Sequence, residues 1–154
     1  MRFKKALLAL PLAILIFAIY GFKYHADEQD WFAYMNRCLS QSYDAAADPK
    51  LKKVELTLTS DYFIRLRKTY AKNRQEYYSF NLHQLSDFDY LGSTVNGTLH
   101  FKTNADDIIV QTYNDRHGDV DSMTTVLDIP VKNMEPERLD SLHEAINYFK
   151  AKGL

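Results

Sequence analysis

The chain has 154 residues, of which 46% are hydrophobic, 14% aromatic and 25% charged, with 5 Gly and 4 Pro. This composition supplies enough apolar material for one packed domain and excludes a disordered, low-complexity protein. The net charge of -1 implies no global attraction to nucleic acid.

The first 22 residues have the pattern of a membrane anchor. Arg2, Lys4 and Lys5 precede an uncharged, largely apolar run over residues 6–22, and a helix of that run is about 25 Å long, just enough to cross a bilayer. Positive charge before such a run holds the N-terminus in the cytoplasm. We therefore expect a cytoplasmic tail over 1–5, a transmembrane anchor (or uncleaved signal) over 6–22, and a single extracytoplasmic α+β domain over 23–154.

The alternative for this segment is a cleaved secretory signal, which would leave a secreted protein. Cleavage sites need small residues, whereas this run ends in Ile19, Tyr20, Gly21 and Phe22. A buried helix in a soluble protein would need a larger core than the rest of the chain supplies. The pattern favours a single-pass inner-membrane protein with its C-terminal domain in the periplasm.

The first element after the anchor is an amphipathic helix over Asp27 to Ser42, with Asp27 as its N-cap. Apolar and small residues recur on one helical face at a spacing of three or four. These residues are Trp31, Met35, Cys38, Leu39 and Ser42. Asp48-Pro49 then interrupts the chain.

A period of two follows and predicts strands. Val54, Leu56 and Leu58 alternate with polar residues, as expected for a strand with one buried face. Residues 62–69 continue this pattern, although their spacing would also suit a helix. Residues 71–75 read as a polar turn, and residues 77–83 predict a third strand.

The next segment predicts a β-hairpin over 88–103, with Asn96-Gly97 as a type I′ turn because that turn needs two positive φ angles. Residues 107–113 and 122–131 predict two more strands. Glu135-Pro136-Glu137 opens a C-terminal helix, since Pro and acidic residues favour the first turn. The expected fold class is α+β: an antiparallel meander sheet of about six or seven strands, flanked by an N-terminal and a C-terminal helix.

The sequence contains no recognisable catalytic or cofactor motif. Its five histidines have no metal-ligand spacing, and HExxH, CxxC, GxSxG and Gly-rich phosphate loops are absent from it. Cys38 is the only cysteine, so an internal disulfide is excluded, and its place on the apolar stripe predicts core packing. His143 is expected to be structural. No cofactor is implied.

An acidic loop is a weak candidate for a metal site. Asp115, Asp119 and Asp121 would offer oxygen ligands to a hard cation such as Ca²⁺. Arg116 opposes a cation, and Asp, Asn and Gly are also ordinary turn residues. The enzymatic alternative is a small hydrolase whose site lies near Asp115–Asp121 and uses a histidine such as His117 or His100.

Basic and aromatic residues cluster around the second and third predicted strands. Arginine and tyrosine are enriched in protein interfaces, and this mixture predicts a partner-binding surface. Its residues are Arg65, Arg67, Lys68, Tyr70, Arg74 and Tyr77. A solvated strand face, protected by its charges from edge pairing, would have the same composition.

The function expected from these patterns is a membrane-tethered, periplasmic, non-enzymatic protein-binding module. One specific form is an immunity or inhibitor protein directed against a toxin that acts in the periplasm. A structural or accessory subunit of a cell-envelope complex is the other non-enzymatic alternative. The expected partners are a protein and, through residues 6–22, the membrane. Neither nucleic acid nor a small-molecule cofactor is expected.

Overall fold

The structure, a computed structural model, describes residues 27–152, and they fall into two compact units divided between Tyr34 and Met35. The predicted tail and anchor, residues 1–22, lie outside this range. Within residues 27–152, no helix has the length and apolar character needed to cross a membrane. In the first unit, Trp31 packs edge-on against Tyr34 with ring centroids 6.0 Å apart.

Helix α1 covers residues 27–42, which confirms the amphipathic helix predicted there. From Met35 onward its buried residues follow the expected spacing, and Cys38 lies in the core with 4% of its surface exposed. The Asn36 side-chain amide accepts from the backbone N–H of Leu58 and donates to its C=O, at 2.9 and 3.1 Å. This pairing satisfies backbone groups where the first strand ends.

Eight strands follow, and every pair of neighbours is antiparallel. A five-stranded sheet has the order β1-β2-β3-β6-β7 and a three-stranded sheet the order β4-β5-β8. The strands are β1 (Lys53–Leu58), β2 (Phe63–Thr69), β3 (Gln75–Asn81), β4 (Leu85–Gly92), β5 (Asn96–Thr103), β6 (Ile108–Tyr113), β7 (Asp121–Thr124) and β8 (Val126–Lys132).

The core lies where the two sheets and helix α2 (Pro136–Ala151) meet. Phe80 of β3 and Phe101 of β5 join the two sheets, with ring centroids 5.4 Å apart. Helix α2 buries Leu142, Ala145, Ile146 and Phe149, a periodic stripe that drives its packing because burying apolar area is favourable.

The C-terminal end of α2 is held by the turn between the sheets. His83 Nδ1 lies 3.1 Å from the Lys150 carbonyl oxygen, one of the final helix carbonyls that lack an intrahelical partner. Tyr62 packs on Phe149 at 5.5 Å. These contacts fasten α2 beside the five-stranded sheet.

The α+β class, the antiparallel pairing and the two flanking helices are confirmed, but the single meander of six or seven strands is wrong. The chain changes sheets three times: after β3, after β5 and at Thr125. The predicted strand 122–131 is therefore two strands, β7 and β8, which belong to different sheets. Alternating apolar residues indicate a buried face without specifying which sheet covers it.

The β4–β5 hairpin exists, but its predicted type I′ turn at Asn96-Gly97 is wrong. The turn covers residues 93–95, and Asn96 and Gly97 open β5, where Gly97 pairs with Gly92. Gly97 is needed for space rather than for a positive φ, because an added Cβ would lie 2.5 Å from the Tyr90 hydroxyl oxygen. Within this hairpin, Gly92 is the residue with positive φ, at 154°.

Candidate functional site

The five-stranded sheet has a face that points away from the core, and we call it the outer face. Residues directly opposite each other in an antiparallel sheet share a face, so the strand register identifies its members. Its central row runs Glu55, Arg67, Tyr77, Gln111 and Asp121. The row beside it runs Thr57, Arg65, Ser79, Ile109 and Met123.

Two shallow depressions indent this outer face. One has a volume of about 230 Å³ and is lined by Glu55, Thr57, Thr59, Arg65, Arg67 and Tyr77. The other, of about 390 Å³, is lined by Arg67, Gln75, Tyr77, Gln111 and Tyr113. Both have Arg67 and Tyr77 as walls, and we call the two together the Arg67 bay.

Among residues 27–152, Arg67 makes one long ion pair. Its Nη1 lies 3.9 Å from Glu55 Oε2, while Glu55 Oε1 accepts a shorter bond, 2.9 Å, from Lys53 Nζ. That bond, followed by the charge of Lys53, lowers the pKa of Glu55 below its ordinary value. The guanidinium carbon of Arg67 lies 5.8 Å from the Tyr77 ring centroid, a cation–π distance that orients the group.

Arg65 has a similar environment one row away. Its Nη2 lies 3.9 Å from Asp61 Oδ2, and its guanidinium carbon is 5.7 Å from the Phe63 ring centroid. Both arginine side chains are about half exposed, at 44% and 51%. Exposed pairs at such distances contribute little to stability, so both guanidinium groups stay accessible to a ligand.

The structure brings together three of the six residues predicted to bind a partner and separates the other three. Arg65, Arg67 and Tyr77 lie on the outer face, whereas strand alternation places Lys68 on the opposite face with Leu66. There the Lys68 Nζ lies 5.6 Å from the Tyr78 ring centroid. Tyr70 and Arg74 follow β2 and belong to a hydrogen-bonded cluster at the end of the sheet.

We call this cluster the Tyr70 network. The Tyr70 hydroxyl contacts Asp48 Oδ2 at 2.8 Å and Glu76 Oε2 at 3.1 Å. Arg74 Nη1 donates to Glu76 Oε1 at 2.9 Å and Asp115 Oδ2 at 3.3 Å, and its guanidinium lies 4.1 Å from the Tyr70 ring centroid. Tyr70 and Arg74 are thus engaged within the fold.

The Tyr70 network shifts the pKa values of its members. Burial, followed by the hydrogen bond to Asp48, raises the pKa of Tyr70 above its ordinary value of 10.0. The same hydrogen bond is the main reason that the pKa of Asp48 falls below 3.8. Nearby Tyr43 is 5% exposed, and burial, followed by the charge of Asp48, raises its pKa to about 12.

The carboxylates of the acidic loop accept hydrogen bonds from protein groups inside and outside the loop. Asp115 Oδ1 accepts from the His117 backbone N–H and Asp119 Oδ1 from that of Asp115, each at 2.9 Å. Asp121 Oδ1 accepts from Gln111 Nε2 at 3.2 Å. Over residues 27–152, no group of three or more His, Cys, Asp or Glu side chains is arranged to hold a metal ion.

The two histidines considered for catalysis, His100 and His117, lie on different elements, and His143 is a packing residue. His100 Nδ1 is 2.7 Å from Asp128 Oδ1 across β5 and β8, whereas His117 lies in the exposed loop after β6. His143 packs edge-on against Phe88 with ring centroids 4.6 Å apart. The hydrolase site predicted from Asp115 to Asp121 is not assembled with His100, which belongs to the other sheet.

Sequence reasoning missed the residues that β6 adds to the bay, Gln111 and Tyr113, and also Gln75 of β3. The alternation around Ile108 and Val110 signals that Gln111 and Tyr113 share the opposite face. The pairing of β6 with β3 carries no such local signal, because the hairpin of β4 and β5 separates them in the chain.

Similarity to known proteins does not identify this surface. No family model matches the chain, and neither a curated protein nor a solved structure matches it.

Proposed function

We propose that this protein is a membrane-tethered, extracytoplasmic, non-enzymatic module that binds a protein partner through the outer face of its five-stranded sheet. The observation that carries the proposal is the Arg67 bay, where Arg65, Arg67 and Tyr77 meet Gln111 and Tyr113 on one face. Arginine and tyrosine dominate the binding energy of many interfaces.

The composition of the face supports protein binding over solvation alone. On this face Tyr77 and Tyr113 stand beside two long amides, those of Gln75 and Gln111. Tyrosine buries a large apolar area and keeps a hydroxyl for hydrogen bonding. Tyr113 is exposed at 44%, so this area is available to a partner.

The tether and the address form part of the same proposal. The uncharged run over residues 6–22, preceded by three cations, supports an inner-membrane anchor with the domain in the periplasm. An immunity or inhibitor protein is the specific form that we propose, because a small tethered binder is placed where an incoming periplasmic toxin would act. This form rests on analogy between classes of protein.

A crosslinked pulldown of the full chain from its native membrane tests the proposal. We expect one dominant protein partner, lost when Arg65→Glu and Arg67→Glu are combined because the double change replaces the two cations of the face with anions. The matched control combines Arg37→Glu and Lys102→Glu, two exposed charge reversals outside the outer face. Equal recovery by both double variants, or recovery of no partner by the wild-type chain, would refute the proposal.

A further inference from the structure

The Arg67 bay has the electrostatics of a site for one negative group. Arg67 is the cation shared by both depressions, and its acidic neighbour Glu55 lies closer to Lys53 than to Arg67. The depression toward β6 is otherwise lined by uncharged residues, namely Gln75, Tyr77, Gln111 and Tyr113. These side chains offer hydrogen bonds but do not neutralise a guanidinium.

We propose that the Arg67 bay is a carboxylate-binding subsite and that the partner enters it with an aspartate or glutamate side chain. This inference rests on the proposed function and names the chemistry of its central contact. Arginine presents its donors in a planar fork that matches the two oxygens of a carboxylate. Tyr77 holds this fork over its ring, which reduces the entropy lost on binding.

The groups that share the row of Arg67 are held in place by the strands and by their own hydrogen bonds. Gln111 is fixed by two bonds, because its Nε2 donates to Asp121 and its Oε1 accepts from the Tyr113 hydroxyl at 2.9 Å. The strand register places Glu55 and Asp121 at opposite ends of the row that contains Arg67. Arg67 is the one cation of this row, and a carboxylate side chain is the anionic group that a protein partner presents.

The small size of the outer face favours one strong anchoring contact. Four strand spacings give a width of about 19 Å, and a seven-residue strand a length of about 23 Å. The resulting flat area is about half of the roughly 800 Å² that each partner buries in a standard interface. A partner that binds this face gains specificity from one well-paired charge rather than from area.

Substitutions at Glu55 and Arg67 should change the affinity for an acidic ligand in opposite directions. Glu55 is the carboxylate that an incoming acid must displace from Arg67, so Glu55→Gln should strengthen binding of an acidic ligand. Arg67→Gln should weaken it. The two side chains lie 3.9 Å apart, and damage to the fold would not change affinity in opposite directions.

The probe is a fluorescein-labelled decapeptide of alternating Gly and Glu, added to the full chain in phosphatidylcholine nanodiscs and followed by fluorescence polarisation. We expect binding that falls by about tenfold or more with a Gly-Gln peptide or with Arg67→Gln, the loss expected for a charge-assisted contact. Glu55→Gln should tighten binding several-fold, and Lys102→Gln should leave it unchanged.

Equal affinity for the Glu and Gln peptides, no binding at millimolar peptide, or weaker binding by Glu55→Gln would overturn the subsite. Binding of polygalacturonate without binding of the peptide would also overturn it, in favour of an acidic wall polymer. A pulldown that succeeds while the peptide fails removes this inference alone. A pulldown that recovers no protein removes the proposed function.

Discussion

Two tyrosines near the end of the five-stranded sheet are buried to the same extent but have different surroundings. Tyr70, 7% exposed, donates its hydroxyl hydrogen toward two carboxylates, whereas the Tyr43 hydroxyl, 5% exposed, has no hydrogen-bond partner among the described protein residues. A buried hydroxyl contributes to stability only when it is paired. The tyrosine hydroxyl is therefore expected to stabilise the fold at Tyr70 and to destabilise it slightly at Tyr43.

Tyr70→Phe should lower the free energy of unfolding by about 1–2 kcal/mol, because it removes a hydrogen bond to charged acceptors. Tyr43→Phe is the matched control: it deletes the same atom at equal burial and should leave stability unchanged or slightly raised. Urea denaturation of both variants measures the difference. Equal losses would contradict a specific role for the Tyr70 hydroxyl.

The contribution of Tyr70 should also depend on pH, through Asp48. The hydrogen bond from Tyr70 holds the folded-state pKa of Asp48 below its ordinary value of 3.8, and a lowered pKa stabilises the fold wherever the carboxylate is ionised. This stability is complete above the unfolded value and is lost as pH falls through the folded value. The difference between wild type and Tyr70→Phe should therefore stay constant from pH 7 to about 5 and shrink below 3.8. A difference that widened in acid would contradict this.

At the scale of elements, Gly97 sets the pairing of β4 with β5. An added Cβ would lie 2.5 Å from the Tyr90 hydroxyl oxygen and 2.8 Å from the Leu91 carbonyl oxygen. Gly97→Ala should therefore destabilise the protein by about 1–3 kcal/mol, the usual cost of overpacking. Asn96→Ala, next to it in an exposed position, should cost less than about 0.5 kcal/mol. Thermal denaturation distinguishes this arrangement from a type I′ turn, in which the Asn96 change would also be costly.

The elements could be predicted better than their arrangement. Helix α1, strand β1 and the opening of α2 at Pro136 have local signals: a 3.6-residue period, a two-residue period and a first-turn proline. The change of sheet at Thr125 has none, because no glycine, proline or turn motif stands at that point. Which sheet a strand joins is decided by contacts distant in sequence, such as Phe80 with Phe101.

At the scale of the whole molecule, the outer face should be separable from the stability of the fold. Arg65 and Arg67 make only long, exposed ion pairs at 3.9 Å, and such pairs contribute about 0–1 kcal/mol. Combining Arg65→Glu with Arg67→Glu should therefore leave the circular dichroism spectrum unchanged and lower the melting temperature by only a few degrees. A double variant that unfolded would make its loss of binding uninformative.

Three of the six residues predicted for the candidate surface share the outer face. Arg65, Arg67 and Tyr77 share a face because strand alternation and antiparallel register place them together. Lys68, Tyr70 and Arg74 are equally close in sequence but point to the other side or leave the strand. Clustering along the chain therefore predicted the residue types of the candidate surface. The pairing of β2 with β1 and β3, and of β3 with β6, defines which of them share a face.

The repeated change of sheet also affects how the molecule can be divided. A cut in the exposed segment between β6 and β7 would leave β5 and β6 in one fragment and their partners β8 and β7 in the other. Each fragment then lacks strands of both sheets, and each carries the edges that the other completes. The two fragments would have to be mixed to restore either sheet, so this loop is the natural place to split the protein for a complementation reporter.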